Sequence, residues 1–381
     1  MKLHADIETF SECDLKVAGL YKYAEHPSTE VTVFCYALDN GPVNVWLPYE
    51  VWDIPQQVLD GIRARPEFDE DATIHTSMTA PDALRWHVSL GNEFSAHNAQ
   101  FERTVLNGVA GQKLDFPLIE INQTSCTMAK CRAHGLPGAL EDAARALGTH
   151  PKLATGKNAM RAFMKPRNKK GAARWTPATD PQDFIELVAY CIDDVKAERD
   201  LDNAIPDLTQ PEMAVYRMDQ RMNDRGVAVD LESVANIQYL IAVRKAELEA
   251  QCLEWTGLRP SQREKIAEWI RANGYPRLAD MQADTITKLV TNHELPSRVR
   301  DVLRLYSTYN AKAVAKFGVI EDMVCADGRI RGMFQYHGAG TGRWSSTGVQ
   351  LQNISRGYID DPEAAIEACA ARDLNLIRSL W

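Results

Sequence analysis

Between Met1 and about residue 207 the sequence alternates two hydrophobic periodicities, and this alternation is the tightest constraint on what it can fold into. KLHADIETF, TVFCYAL and VNVWLP are short runs rich in β-branched and aromatic residues, the last two joined by Asp39-Asn40-Gly41, a hairpin-type turn. Residues 1 to about 50 therefore read as strands. APDALRWHVSL then shows helical spacing, EFSAHN reads as a short strand, and AQFERTVLNGVA returns to helix. DPQDFIELVAYCIDDVKAERDLDNAI predicts a long amphipathic helix with Asp180 placed to cap its start. Strands interleaved with helices imply an α/β domain. At PDLTQP, Pro206 to Pro211, the texture changes, and long helical patterns such as ESVANIQYLIAVRKAELEAQCLEW follow. Strand-like patterning returns only at DGRIRGMFQYHGAG.

A chain of 381 residues is long enough for more than one core, which agrees with a seam near residue 207. No window approaches the roughly 18 apolar residues of a membrane span, and MKLHADIETF lacks a secretory apolar region, so a soluble, cytoplasmic protein is expected. The eight cysteines form no C-x-x-C pair and read as reduced, mostly buried thiols, with neither zinc nor disulfides. A net charge of −9 argues mildly against a nucleic-acid partner, but the mean hides its distribution. From Ala143 to Thr179 there is no Asp or Glu, whereas Arg145, Lys152, Lys157, Arg161, Lys165, Arg167, Lys169, Lys170 and Arg174 are all present. This stretch is either a solvated loop or a strip facing a polyanion.

Three short pieces of the first domain carry carboxylates with useful spacing. Asp6 and Glu8, two apart on a predicted strand, project from one face. Glu102 of HNAQFER lies near the start of a helix after a short strand. Tyr190 and Asp194 of YCIDDV, four apart, stack on one helical face, and Asp193 falls on another, as a surface residue would. In this order and setting the three pieces resemble the exonuclease motifs of the DEDD superfamily, in the variant whose third motif carries tyrosine. The resemblance implies a ribonuclease H-like sheet, 3′→5′ exonuclease activity on DNA and two divalent ions, Mg2+ or Mn2+. Carried onto this sequence, Asp6 would bridge the ions, Glu8 and Asp194 would complete one site, Glu102 would serve the other, and Tyr190 would orient the attacking water. The superfamily usually has Asp where Glu102 stands, and the extra methylene would move that ligand by about 1 Å. Phage-type relatives tolerate Glu there. Asn98 matches an asparagine that often precedes the motif, or is a helix cap.

TGRWSSTGVQLQNISRG, near the end of the sequence, resembles the segment of family A DNA polymerases just before the palm's first catalytic motif. MNDRGVAVD and the helices through LRLYSTYNAKAVAKF look like the entry to the polymerase domain and its thumb. Arginine and amide side chains suit minor-groove contact without sequence preference, and Arg343, Gln350, Gln352 and Asn353 are the matching positions. Gly340 and Gly342 permit tight turns, and Arg356, following Ser355 where proline is common, would meet phosphate. After Asn353 there is no D-x-S-x-I-E strand, no fingers lysine and no H-D-E.

The expectation is therefore a ribonuclease H-like exonuclease domain over residues 1–207, then a mainly helical thumb and the first strands of a palm over 208–381. Its partners would be a single-stranded DNA 3′ end and a primer-template duplex, with Lys165, Arg167, Lys169 and Lys170 guiding the single strand. No membrane is involved. Nucleotide addition by this chain alone is not expected, and the apolar Leu376, Ile377, Leu380 and Trp381 suggest a continuation or a second polypeptide carrying palm and fingers. Two alternatives remain at this stage: a DNA-binding subunit of a split polymerase, and an RNA exonuclease with the same acids.

Overall fold

The computed structural model describes residues 1–150, 156–167, 174–353 and 360–379. They form two compact units: 1–228 with 323–350, and 229–322 with 351–381. The seam expected at Pro206–Pro211 thus falls inside the first unit, because the helix that follows it packs there.

The first unit is built on a six-stranded mixed sheet of order β4-β3-β2-β1-β5-β6. Its strands are β1 (Lys2–Phe10), β2 (Glu30–Leu38), β3 (Asn44–Leu47), β4 (Ile74–Thr76), β5 (Glu93–Ala96) and β6 (Thr124–Cys126). Central β1 pairs antiparallel with β2 and parallel with β5, and its register against β2 shifts between Glu8 and Thr9. Such an irregularity re-aims neighbouring side chains. The Asp39-Asn40-Gly41 turn joins β2 to β3 as expected, with Asp39 at φ 49°.

Helices cover both faces of the sheet. They are α1 (Leu15–Glu25), α2 (Gln56–Arg63), α3 (Asp82–Ser89), α4 (Gln100–Asn107), α5 (Val109–Lys113), α6 (Thr127–Ala133), α7 (Leu140–Leu147), α8 (Lys157–Phe163), α9 (Pro181–Ala204) and α10 (Gln210–Arg225). Helix α1 lies in a stretch expected to be strand. Asp14 caps it by accepting from Lys16 N at 2.8 Å, and Gly19 at φ 75° kinks it, which broke the helical period in the sequence.

The alternation of β1 sorts its side chains. Leu3, Ala5 and Ile7 enter a core with Phe34, Trp46, Phe94, Leu106 and Phe116. Lys2, His4, Asp6 and Glu8 point the other way, toward α9. Helix α9 buries Phe184, Leu187, Val188, Ile192 and Val195 against Val33, Val45 and Leu47 of the neighbouring strands. Tyr190, Asp194, Glu198 and Asp202, spaced by four, form a polar stripe along the same helix. Lys2 Nζ meets Asp202 Oδ2 at 2.8 Å and His4 Nδ1 meets Glu198 Oε2 at 2.7 Å. Two strand residues rise about 6.6 Å and four helical residues about 6 Å, so the two polar rows stay in step.

Asp180 occupies the N-cap position of α9, yet its carboxylate caps nothing; it pairs with Arg167 and accepts from Thr179 Oγ1 at 2.5 Å. Asp193, expected on the surface, is buried with His150 Nε2 at 2.6 Å, because α9 is enclosed nearly all round. Helix α4 is tied to α10 by Arg103, whose guanidinium donates to both oxygens of Asp224 at 2.7 and 2.8 Å. A Cβ on Gly111 would stand 1.7 Å from the Leu106 carbonyl oxygen, so the α4–α5 corner closes only around glycine. Gly111→Ala is expected to lose about 2–3 kcal/mol, read from urea unfolding.

Residues 323–350 supply β8 (Arg329–Ile330), which pairs with β7 (Val227–Ala228), and β9 (Phe334–Gln335), which pairs with β10 (Ser345–Ser346). Asn223 holds Phe334 by both its backbone N–H and its carbonyl, at 2.9 and 3.0 Å, and Trp344 Nε1 donates to Asp219 at 2.8 Å.

The second unit is helical, as expected beyond the seam. Helices α11 (Leu231–Thr256), α12 (Arg263–Ala272), α13 (Ala283–Val290) and α14 (Ser297–Tyr309) share a core of Leu248, Ile266, Ile270, Leu289, Val302 and Leu303. Helix α15 (Lys312–Met323) ends where the chain re-enters the first unit, and α16 (Pro362–Ala370) and α17 (Leu374–Ser379) follow, with α16 packed on α11. Leu376 is exposed; Leu380 and Trp381 lie outside the described residues. No helix among the described residues is long and apolar enough to cross a membrane.

Candidate active site

The acids converge because β1, the start of α4 and the middle of α9 meet. The even-numbered face of β1 supplies Asp6 and Glu8, the first turn of α4 supplies Glu102, and the polar stripe of α9 supplies Tyr190 and Asp194. All five line one cavity of about 200 Å3, with Asn98, Met160 and Met164 completing its walls. The Cys191 thiol donates to the Asp6 carbonyl at 3.4 Å, fixing the strand against α9 at this level. Gly156, at φ 92°, lets the start of α8 approach Tyr190: a Cβ there would stand 2.6 Å from the tyrosine's own Cβ.

Glu102 is the outlier. It is 3% exposed, and its Oε2 has no hydrogen-bond partner. Burial, then the charges of Asp6 and Glu198, hold its carboxyl well above the usual carboxylate range. Among the described residues, no three His, Cys, Asp or Glu side chains are gathered closely enough to form a ready-made metal cage. The acids share one cavity without closing on a point.

Asn98 is not the cap of α4. That position belongs to Ala99, which makes no side-chain cap, while Asn98 sits at φ 79°, in the left-handed region where asparagine is among the few tolerated residues. It also lines a second cavity of about 380 Å3, walled by Gln100, Arg132, Gln220, Gln335 and Tyr336 among others, all in the first unit.

The remaining expected contacts are scattered. Arg343 is exposed in the first unit, where Gln350 also lies, at φ 50°. Gln352 and Asn353 belong to the second unit, so the unit boundary, between Gln350 and Leu351, separates Arg343 and Gln350 from the LQN motif. Lys165 is exposed, but Arg167 is engaged by Asp180 and stacks 4.0 Å from the Trp175 ring centroid. Arg145, Lys157 and Arg174 pair with Glu141, Glu141 and Glu30. Much of the basic stretch is therefore already partnered by acids from outside it. Lys152, Lys169, Lys170, Ser355 and Arg356 lie outside the described residues.

Sequence reasoning missed Glu198. Its only signal was the fourfold spacing that continues from Tyr190 and Asp194.

No family model matches the chain. It is 31% identical over 372 residues to the DNA polymerase of Bacillus phage SP02, an alignment covering 95% of this chain and 52% of that protein. Over nearly its whole length the chain is thus similar to a DNA polymerase. It spans about half the length of that curated relative. Among solved structures it is similar to the POL domain of Pol1 from M. smegmatis, in complex with DNA primer-template and dNTP. The TM-score is 0.52 at 13% identity, over 97% of this chain and 54% of that one, a likeness of fold. Neither comparison speaks for a second polypeptide.

Proposed function

We propose that this polymerase-family chain carries a metal-dependent 3′→5′ exonuclease that removes nucleotides from a DNA 3′ end, as proofreading requires. The observation that carries the reading is the convergence of Asp6, Glu8, Glu102, Tyr190 and Asp194 on one cavity from positions spread over almost 190 residues. The strand order around β1, with β2 and β3 antiparallel on one side and β5 and β6 parallel on the other, supports a ribonuclease H-like domain. The thumb and palm-entry reading of the later residues rests on the similarity to DNA polymerases.

The donor set suits hard divalent cations such as Mg2+ or Mn2+, which prefer oxygen ligands. The unpartnered Oε2 of Glu102, buried beside Asp6, is an acceptor that such an ion would satisfy. Asp6 would stand between two ions, Glu8 and Asp194 would hold one and Glu102 the other. When bound, a pair of ions supplies charge neutralisation for in-line hydrolysis of a phosphodiester. Tyr190 at the cavity wall would orient water by its hydroxyl. Met160 and Met164 add apolar wall to the same cavity. The larger cavity, joined to the first by Asn98, offers amides, Arg132 and Tyr336 to the neighbouring nucleotides. Arg343, Gln350, Gln352 and Asn353 would contact a primer-template duplex. Kinship with DNA polymerases favours DNA over RNA as substrate.

Digestion of 5′-labelled single-stranded DNA with Mn2+ is the test. Stepwise shortening, blocked by EDTA and slower on RNA of the same sequence, is the expected result; intact DNA under both Mn2+ and Mg2+ rules the reading out. Lys165→Glu should weaken single-strand binding and lower the salt slope of the affinity by about 1, measured by fluorescence anisotropy. An unchanged slope would remove Lys165 from the path.

A further inference from the structure

One buried carboxylate on the α9 stripe belongs to none of the roles above. Glu198 is 1% exposed, one turn beyond Asp194. Its Oε2 meets His4 Nδ1 at 2.7 Å, and its Oε1 accepts from Ser95 Oγ at 2.8 Å and from Thr127 Oγ1. His4, Ser95 and Thr127 are themselves buried. Four elements, β1, β5, α6 and α9, are thus tied at a single side chain, directly beneath the cavity that β1 and α9 line together.

Apolar packing could join these elements without the desolvation cost of a carboxylate. What apolar packing lacks is direction. Each oxygen of Glu198 accepts along a set line, so the separation and register of the bonded strand and helix are specified together. His4 is two residues from Asp6 on the same strand face, and Glu198 is four from Asp194 on the same helix face. The His4–Glu198 contact therefore sets how far apart Asp6 and Asp194 stand. The Ser95 bond adds the strand that leads into α4, and so reaches Glu102, close enough for the charge of Glu198 to act on it, while the Thr127 bond adds the start of α6.

We propose that Glu198 is a positioning residue for the exonuclease acids: its hydrogen bonds to His4, Ser95 and Thr127 fix the spacing at which Asp6, Asp194 and Glu102 take up a divalent cation. The proposal rests on the exonuclease reading for its biological meaning, but not for its test. Asp202 is the natural comparator. It lies one turn further along the same stripe, is also buried, and is held by Lys2 and Lys130 away from the acid cavity.

Isothermal titration of the purified chain with Mn2+ reads the effect without DNA. Glu198→Ala should weaken Mn2+ binding by about 10–100-fold, the range seen when a group that orients metal ligands is removed. Glu198→Gln, which keeps the shape and an acceptor for Ser95 and Thr127, should recover most of the affinity. Asp202→Ala should lower the melting temperature yet leave Mn2+ affinity within about twofold of wild type. If Glu198→Ala does not fold, the paired change Ser95→Ala with Thr127→Val removes two of the three donors and should weaken Mn2+ binding at least fivefold. Unchanged Mn2+ affinity in the Glu198 or the paired variant overturns the proposal, as does an equal loss in Asp202→Ala. A wild-type chain that binds no Mn2+ overturns it together with the exonuclease reading. A wild-type chain that binds Mn2+ but digests no DNA ends the exonuclease reading alone, and the ranking of the variants still decides the role of Glu198.

Discussion

Asp6→Ala is expected to lower the rate of single-strand digestion by at least about 10³-fold at saturating Mn2+ while leaving DNA affinity within a few-fold of wild type. Asp6 lies on the central strand and lines the cavity between the acids of α4 and α9, so in the proposed arrangement both ions depend on it. Removing it would take away charge compensation where the scissile phosphate must be held. Its loss should not unfold the domain. The β1 core is made by Leu3, Ala5 and Ile7, and the carboxylate of Asp6 repels its neighbours, as the raised proton affinity of Glu102 records. An Asp6→Ala chain that keeps more than a tenth of wild-type digestion would show that hydrolysis happens elsewhere.

Glu102→Gln should separate stability from activity. The folded-state carboxyl of Glu102 sits well above the usual carboxylate range, chiefly through burial and then through Asp6, while in the unfolded chain it titrates near 4.3. Between those two values the folded chain keeps a proton that the unfolded chain has lost, so the stability contributed by this site falls as pH rises across the window. Glutamine removes that dependence. Without divalent ions, Glu102→Gln is therefore expected to be more stable than wild type by on the order of 1–2 kcal/mol at pH 8, the difference shrinking as pH falls toward 4. Added Mn2+ should stabilise wild type more than the variant, because an ion that binds the folded state raises stability by mass action. Digestion should fall by about 10²-fold or more. Thermal melts at pH 4.5 and 8, with and without Mn2+, check the sign. A variant less stable than wild type at pH 8 without metal would mean that Glu102 is held as a satisfied carboxylate.

The two variants probe opposite sides of one arrangement. A cluster of like charges in a small cavity weakens the fold where it prepares the chemistry, and the surrounding polar bonds keep it from spreading. Lys2–Asp202 and His4–Glu198 close the seam between β1 and α9 on the side away from the acids, and Arg103–Asp224 anchors the helix that carries Glu102.

How much of this was legible in the sequence depended on range. Asp6 and Glu8 on one strand face, and Tyr190 and Asp194 on one helix face, follow from periods of 2 and 3.6 and needed no tertiary information. The helix of residues 15–25 was lost because Gly19 interrupts its period, and the idle cap at Asp180 because Arg167, thirteen residues earlier, competes for the same carboxylate. Asp193 shows the same limit. On a helix buried nearly all round, the residue off the functional face is not exposed, and amphipathic reasoning assigns it to a surface that does not exist.

The sequence by itself determined the alternation of strands and helices, the residue types capable of holding divalent cations, and a likeness to DNA polymerases, because each is written in local spacing or in matched strings. Only the tertiary structure decided that Glu102 would be buried with an oxygen unpartnered, that Glu198 would tie four elements together beneath the acids, and that Arg343 and Gln350 would fall in one unit and the LQN motif in the other. Those outcomes depend on which distant surfaces exclude water from one another, and a linear pattern carries no record of desolvation until the chain has closed around it.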